Sequence, residues 1–197
     1  MEKITKLKKI FKSVRIDGYI IPKNDEFFGE YIPDNKDRLK YISDFSGSFG
    51  FALILNNKNF LFVDGRYTLQ ASKQSGNYFK IKTIPGELPV DILKNKKLKI
   101  GFDPKLFTKK SLNIFFGKTD CQYIPLSENL IDKIWIRKKN IFKNKFYKLP
   151  NSSIGEDYKL KLNKIILELK KNKADFKFIT ASENNAWLLN IRGSDSK

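Results

Sequence analysis

The 197-residue sequence has no histidine, a single cysteine and only five arginines. Without imidazole there is no Ser-His-Asp or Cys-His catalysis, no His-ligated zinc and no metallopeptidase centre that depends on a histidine ligand. The lone Cys121 excludes a disulfide within the chain and suits a reducing cytosol. No apolar run approaches the ~20 residues needed to cross a bilayer. The opening Met1-Glu2-Lys3-Ile4-Thr5-Lys6 lacks the apolar stretch of a signal peptide. A cytoplasmic protein with no membrane partner is expected.

Lysine is abundant instead. The sequence holds 39 basic residues against 21 acidic ones, for a formal charge of +18, and 34 of the 39 are lysines. Surfaces that read nucleic acid lean on the planar, bidentate guanidinium, and here there are only Arg15, Arg38, Arg66, Arg137 and Arg192. The lysines are spread along the chain beside asparagines and isoleucines. That pattern describes solvated faces with general attraction to polyanions, so no specific nucleic-acid partner is expected.

Hydrophobic spacing outlines an α/β chain. Ile4, Leu7, Ile10, Phe11 and Val14 mark one face of an amphipathic helix. Gly18-Tyr19-Ile20-Ile21, stopped by Pro22, is a buried strand. Asn35–Ser43 is expected to be helical, with Asp34 or Asn35 as its cap. Phe51–Leu55 and Phe60–Val63, either side of Asn56-Asn57-Lys58-Asn59, form a hairpin. Helices near 67–73, 90–93 and 111–116 then alternate with strands near 79–84, 98–102 and 121–124. The expected fold is a mixed β-sheet flanked by helices.

Arg137–Gly155, rich in basic residues with Pro150, Asn151, Ser152 and Ser153, is expected to be a linker. Beyond it a helix at Tyr158–Asn172, a strand at Phe176–Ile179 and a helix at Glu183–Leu189 repeat the opening order. The expected division is 1–136 for a first domain, 137–155 for a linker and 156–197 for a truncated second domain of similar type. Residues beyond about Pro150 are too few to bury a core of their own.

Four stretches carry a recognisable pattern: Asp44-Phe45-Ser46-Gly47-Ser48 after a helix bearing Arg38-Leu39; Phe62-Val63-Asp64-Gly65-Arg66-Tyr67 followed by Gln70-Ala71; Glu128-Asn129-Leu130-Ile131-Asp132-Lys133-Ile134-Trp135; and Asn185-Ala186-Trp187-Leu188-Leu189-Asn190-Ile191-Arg192-Gly193-Ser194-Asp195. In this order and at these separations they resemble the N-terminal region of Xaa-Pro aminopeptidases of the three-domain type (aminopeptidase P). Asp44 stands where that family usually has glycine, and Ser196-Lys197 departs from its usual apolar-proline continuation.

The resemblance implies a creatinase-type N-terminal domain and the start of a second. It also implies that the catalytic pita-bread domain, with two metal ions (usually Mn²⁺), lies outside these residues. This chain then needs no cofactor of its own and is expected to be inactive alone, since two-metal hydrolysis requires a shared ligand cluster. In the family this region supports dimerisation and narrows access for proline-containing peptides. A homodimer is therefore expected. Two other readings stand beside it: a stand-alone interaction module, as in peptidase-like subunits of histone chaperones, or the remnant of a split or decayed gene.

Arg66 is the candidate substrate-binding residue. Gly65 permits a tight turn after the strand, and by resemblance Arg66 faces the mouth of the assembled active site. A structural pair with Asp64 competes with that role. Phe45–Ser48 either lines the same mouth or turns the chain. Trp135 and Trp187 are expected as core anchors, Cys121 as an inert buried thiol, and Asp25, Glu26 and Glu30 as a solvated acidic loop. Arg192 with Asp195 is a candidate interdomain or subunit contact.

Overall fold

Apolar residues at helical spacing give α1 (Glu2–Ser13) one buried face, Ile4, Leu7 and Phe11, and lysines elsewhere. The computed structural model describes residues 2–29, 31–137 and 145–193. They form two units, Met1–Glu26 with Asp34–Lys138, and Phe27–Pro33 with Lys139–Lys197.

The first unit is built on six strands: β1 (Gly18–Pro22), β2 (Phe51–Leu55), β3 (Asn59–Asp64), β4 (Lys80–Ile84), β5 (Lys99–Phe102) and β6 (Gln122–Pro125), in the order β4-β3-β2-β1-β5-β6. Strand β2 runs antiparallel to β1 and β3, whereas β1–β5, β3–β4 and β5–β6 pair in parallel. Five strands therefore point one way and β2 alone opposes them. Parallel pairing demands crossover helices, which cover both faces of the sheet. That is why β1 and β2 are apolar without alternation and buried throughout.

Side chains of successive strand residues divide between two cores. Tyr19, Ile21, Ala52, Ile54, Leu61 and Val63 pack with α1, α2 (Arg38–Ser43), α3 (Thr68–Ser75) and α6 (Leu130–Ile134). Ile20, Leu53, Phe60, Phe62 and Ile100 pack on the other face with α4 (Pro89–Leu93) and α5 (Lys109–Phe116). At Gly18 a Cβ would lie 2.6 Å from the Leu55 side chain and 2.9 Å from the Ile54 carbonyl oxygen. Glycine here lets β1 and β2 approach.

Helix α2 begins later than expected. Asp37, not Asp34 or Asn35, is its cap, accepting from Lys40 N at 3.0 Å, while Lys23 Nζ holds the other carboxylate oxygen at 2.5 Å. The chain leaves α2 through Asp44 at φ 62°, a left-handed position that glycine fills without strain.

The second unit contains α7 (Tyr158–Lys171), α8 (Ser182–Leu189) and a two-stranded antiparallel ribbon of β7 (Tyr147–Lys148) with β8 (Ile191–Arg192). Strand β7 falls in the stretch expected to be linker. The expected strand at Phe176–Ile179 is not formed. A strand needs a hydrogen-bonded neighbour, none lies beside it among the described residues, and Phe176 and Phe178 are exposed. Trp187 is also exposed rather than a core anchor. Its ring underlies Lys161 Nζ at 4.0 Å, and that buried ammonium donates to Trp187 O at 2.7 Å and Asn190 Oδ1 at 2.6 Å.

Candidate functional site

Strand β3 delivers Asp64 to the end of the sheet, where the chain makes a single 3-10 turn, Gly65–Tyr67, before α3. Asp64 Oδ1 accepts from Arg66 N at 2.9 Å and so caps that turn. The Arg66 guanidinium folds back onto the same carboxylate, Nη2 to Oδ2 at 2.7 Å and Nε to both oxygens at 3.2 and 3.3 Å. The hydrogen bond from Arg66 holds the Asp64 carboxyl below its ordinary range and raises the guanidinium in turn. Nη1 takes no part in this pair, and the Arg66 side chain is 75% exposed. A permanently charged, outward group of this kind binds anionic or carbonyl oxygens and transfers no proton.

A second loop completes the rim. Phe45 is buried and meets the Tyr67 ring edge-on at 5.9 Å, and the Ser48 and Tyr67 hydroxyls lie 2.7 Å apart. Arg66 sits over the Tyr67 ring at 5.4 Å. At Gly47 a Cβ would fall 2.2 Å from the Phe45 ring and 2.9 Å from Tyr67, so the loop closes only with glycine there. Ser46 is tied to α3, its N donating to Gln74 Oε1 at 3.0 Å and its Oγ accepting from Gln70 Nε2 at 2.9 Å. The result is an exposed, hydroxyl-lined rim fixed from beneath by aromatic packing.

A second constellation was invisible in the sequence. Arg38 is 3% exposed and bonds Asp132 through Nε and Nη2, both at 2.8 Å, and Glu26 through Nη2 at 2.6 Å. Lys36 reaches Glu26 at 3.2 Å, and Arg137 pairs with Asp132 while lying over Trp135 at 4.5 Å. Trp135 stacks on Tyr41 at 4.6 Å against the core. The expected solvated acidic loop is thus corrected: Asp25 is buried and Glu26 is an ion-pair partner, while Glu30 lies outside the described residues. Burial acts to raise the Glu26 carboxyl, but its own backbone N–H, Arg38 and Lys36 outweigh it and pull it down to about 2. No local pattern pairs Arg38 with an aspartate 94 residues away, so the cluster emerges only in the folded chain.

The remaining candidates are dispersed. Cys121 is half-exposed rather than buried, its Sγ donating to Lys96 O at 3.1 Å. Arg192 Nη1 donates to Ala186 O at 3.2 Å and Ile191 O at 2.8 Å, and Asp195 lies outside the described residues.

The five parallel strands and their hairpin, covered by helices on both faces, make a mixed-sheet α/β domain. Two family models, each described as the Creatinase/Prolidase N-terminal domain, match residues 3–134 and 137–197, and the chain belongs to that family. It is 35% identical over 211 residues to Xaa-Pro aminopeptidase 1 of Dictyostelium discoideum, covering 98% of this chain and 34% of that protein. It is 31% identical over 204 residues to a probable Xaa-Pro aminopeptidase P of Coprinopsis cinerea, covering 98% and 33%. Among solved structures it resembles the X-prolyl aminopeptidase of Caenorhabditis elegans, a cytosolic enzyme with a di-nuclear active site, at 28% identity and a TM-score of 0.86. That match covers 99% of this chain and 35% of the other. The chain spans about a third of the length of the relatives it matches.

A di-nuclear centre does not fit the residues present. Histidine is missing from the whole sequence, and no group of three or more Asp, Glu or Cys able to hold a metal ion occurs among the described residues. Glu26 and Asp132, the two carboxylates that converge on Arg38, are neutralised by it. No helix among the described residues is long and apolar enough to cross a membrane.

Proposed function

We propose that the chain is the non-catalytic N-terminal region of a cytoplasmic Xaa-Pro aminopeptidase. There it supports a homodimer and narrows the approach of proline-containing peptides to two metal ions, Mn²⁺ by family habit, held outside these residues. The observation that carries this reading is the continuous match, two creatinase/prolidase N-terminal models in tandem and 98% coverage by Xaa-Pro aminopeptidase relatives. The division into a first domain (1–136), a linker (137–155) and the start of a second domain (156–197) belongs to the same proposal.

In this role Arg66 holds a peptide oxygen at the mouth. Asp64 keeps the guanidinium in one orientation, and the Tyr67–Ser48 rim limits what passes beside it. Such a gate works by excluding misfit substrates. The test is a chimera in which residues 1–197 replace the matching third of the Dictyostelium relative. Losing one charge-assisted hydrogen bond, about 1.5 kcal/mol, makes Arg66→Ala raise KM roughly tenfold with kcat little changed. An unaltered KM removes Arg66 from substrate binding.

A further inference from the structure

We propose that the end of the sheet where its five parallel strands begin is a docking surface for an acidic polypeptide segment. Strand direction decides which loops gather there: the turns entering β1, β4, β5 and β6, and the β2–β3 hairpin. Hydrogen bonds knit these turns together. Asn56 N donates to Asp17 O at 3.2 Å, Asp17 N to Lys99 O at 2.7 Å, Gln122 N to Leu98 O at 2.8 Å, and Lys8 Nζ to Asn56 O at 3.0 Å. Six strands at about 4.8 Å spacing make this edge on the order of 25 Å long.

Its charge is one-sided. Lys12, Lys58, Lys94, Lys96, Lys97 and Lys118 are exposed there, and Arg15 adds a seventh cation. The turns contain two carboxylates, Asp17 and Asp120, and Asp17 Oδ2 is already committed to Lys99 N at 2.8 Å. None of the seven cations makes an ion pair among the described residues. The first unit's pairs lie elsewhere, among them Lys23–Asp37, Arg38–Asp132, Arg66–Asp64 and Lys133–Glu128. Lysines scattered in sequence are thus gathered in space: at the far end Lys23, Lys36 and Lys40 are paired with carboxylates and Lys105, Lys109 and Lys110 are not, whereas all seven cations here are unpaired among the described residues and repel one another until an anion covers them.

The side-chain types select the anion. Arg15 is the one guanidinium and Tyr78 the one exposed ring in these turns, so the forks and stacking platforms of nucleic-acid recognition are lacking. Compact ammonium groups in a row suit the carboxylates of an extended acidic chain. Arg66 follows the far end of β3, so both sites can be occupied together.

The experiment uses the full chain and a fluorescein-labelled deca-glutamate peptide, read by anisotropy at 0.15 M salt. Lys94, Lys96 and Lys97 are changed together to glutamate. The control reverses Lys105, Lys109 and Lys110, exposed residues of the opposite end that alter net charge equally. The proposal expects a loss of at least roughly tenfold for the first triple and less than about twofold for the control. The triple change to glutamine, which is gentler on the fold, should give a smaller loss in the same direction. Equal losses in both triples, no binding at this salt, or a single-stranded ten-nucleotide DNA that binds more tightly than the peptide overturns the assignment.

Discussion

Replacing Arg38 by methionine should destabilise the first unit by about 2–3 kcal/mol. Removing one partner from a buried ion pair typically costs about 3–5 kcal/mol, because a desolvated charge is left uncompensated. Here Arg38 is 3% exposed, but Glu26 and Asp132 retain 29% and 35% exposure, and Lys36 and Arg137 remain beside them. Solvent and the surviving cations therefore reduce the cost to the lower value. The assay is urea unfolding followed by Trp135 fluorescence in a Trp187→Phe background, so that only the first unit reports. The same network sets a pH dependence. Glu26 is held at about 2, below its ordinary value, so its contribution is complete above about pH 4.5 and is lost as pH falls toward 2. A shift of that size corresponds to about 3 kcal/mol, and partial exposure of Glu26 brings it to about 1–2. Wild type should lose that stability between about pH 5 and 2, and Arg38→Met should lose much less. A cost below 1 kcal/mol with an unchanged acid limb would refute the view of Arg38 as the hub.

Other substitutions test single features. Asp44→Gly should stabilise by about 0.5–1 kcal/mol by relieving the left-handed residue at φ 62°, whereas Asp44→Ala should cost about 1, measured by thermal unfolding. Loss of the exposed Lys3–Asp44 pair subtracts little from the gain. Gly47→Ala should cost about 1–3 kcal/mol and disturb the Tyr67–Ser48 rim, because the clashing Phe45 ring is buried and cannot swing away. A neutral Gly47→Ala in urea unfolding would show that this loop is not fixed from beneath.

Local pattern carried most of the first unit. The α1 stripe, the β2–β3 hairpin around Asn56–Lys58 and the half-exposed β4 each follow from spacing that neighbours in sequence enforce. What failed was non-local. Phe176–Ile179 has a strand's composition, but strand formation depends on a partner that composition does not supply. Trp187 lies outside because α8 buries little more than Leu188. The Arg66–Asp64 pair was legible because the charges stand two positions apart, while the Arg38 cluster joins positions 26, 38 and 132 and emerges only on folding. The gathering of lysines was hidden for the same reason: it follows from strand direction.

The most direct test of the proposed role is to incubate the purified 197-residue chain with Mn²⁺ and a peptide bearing proline in second position, and to follow release of the first residue by mass spectrometry. A region that only shapes the entrance should release nothing above the buffer control. Sustained turnover that scales with chain concentration would contradict it.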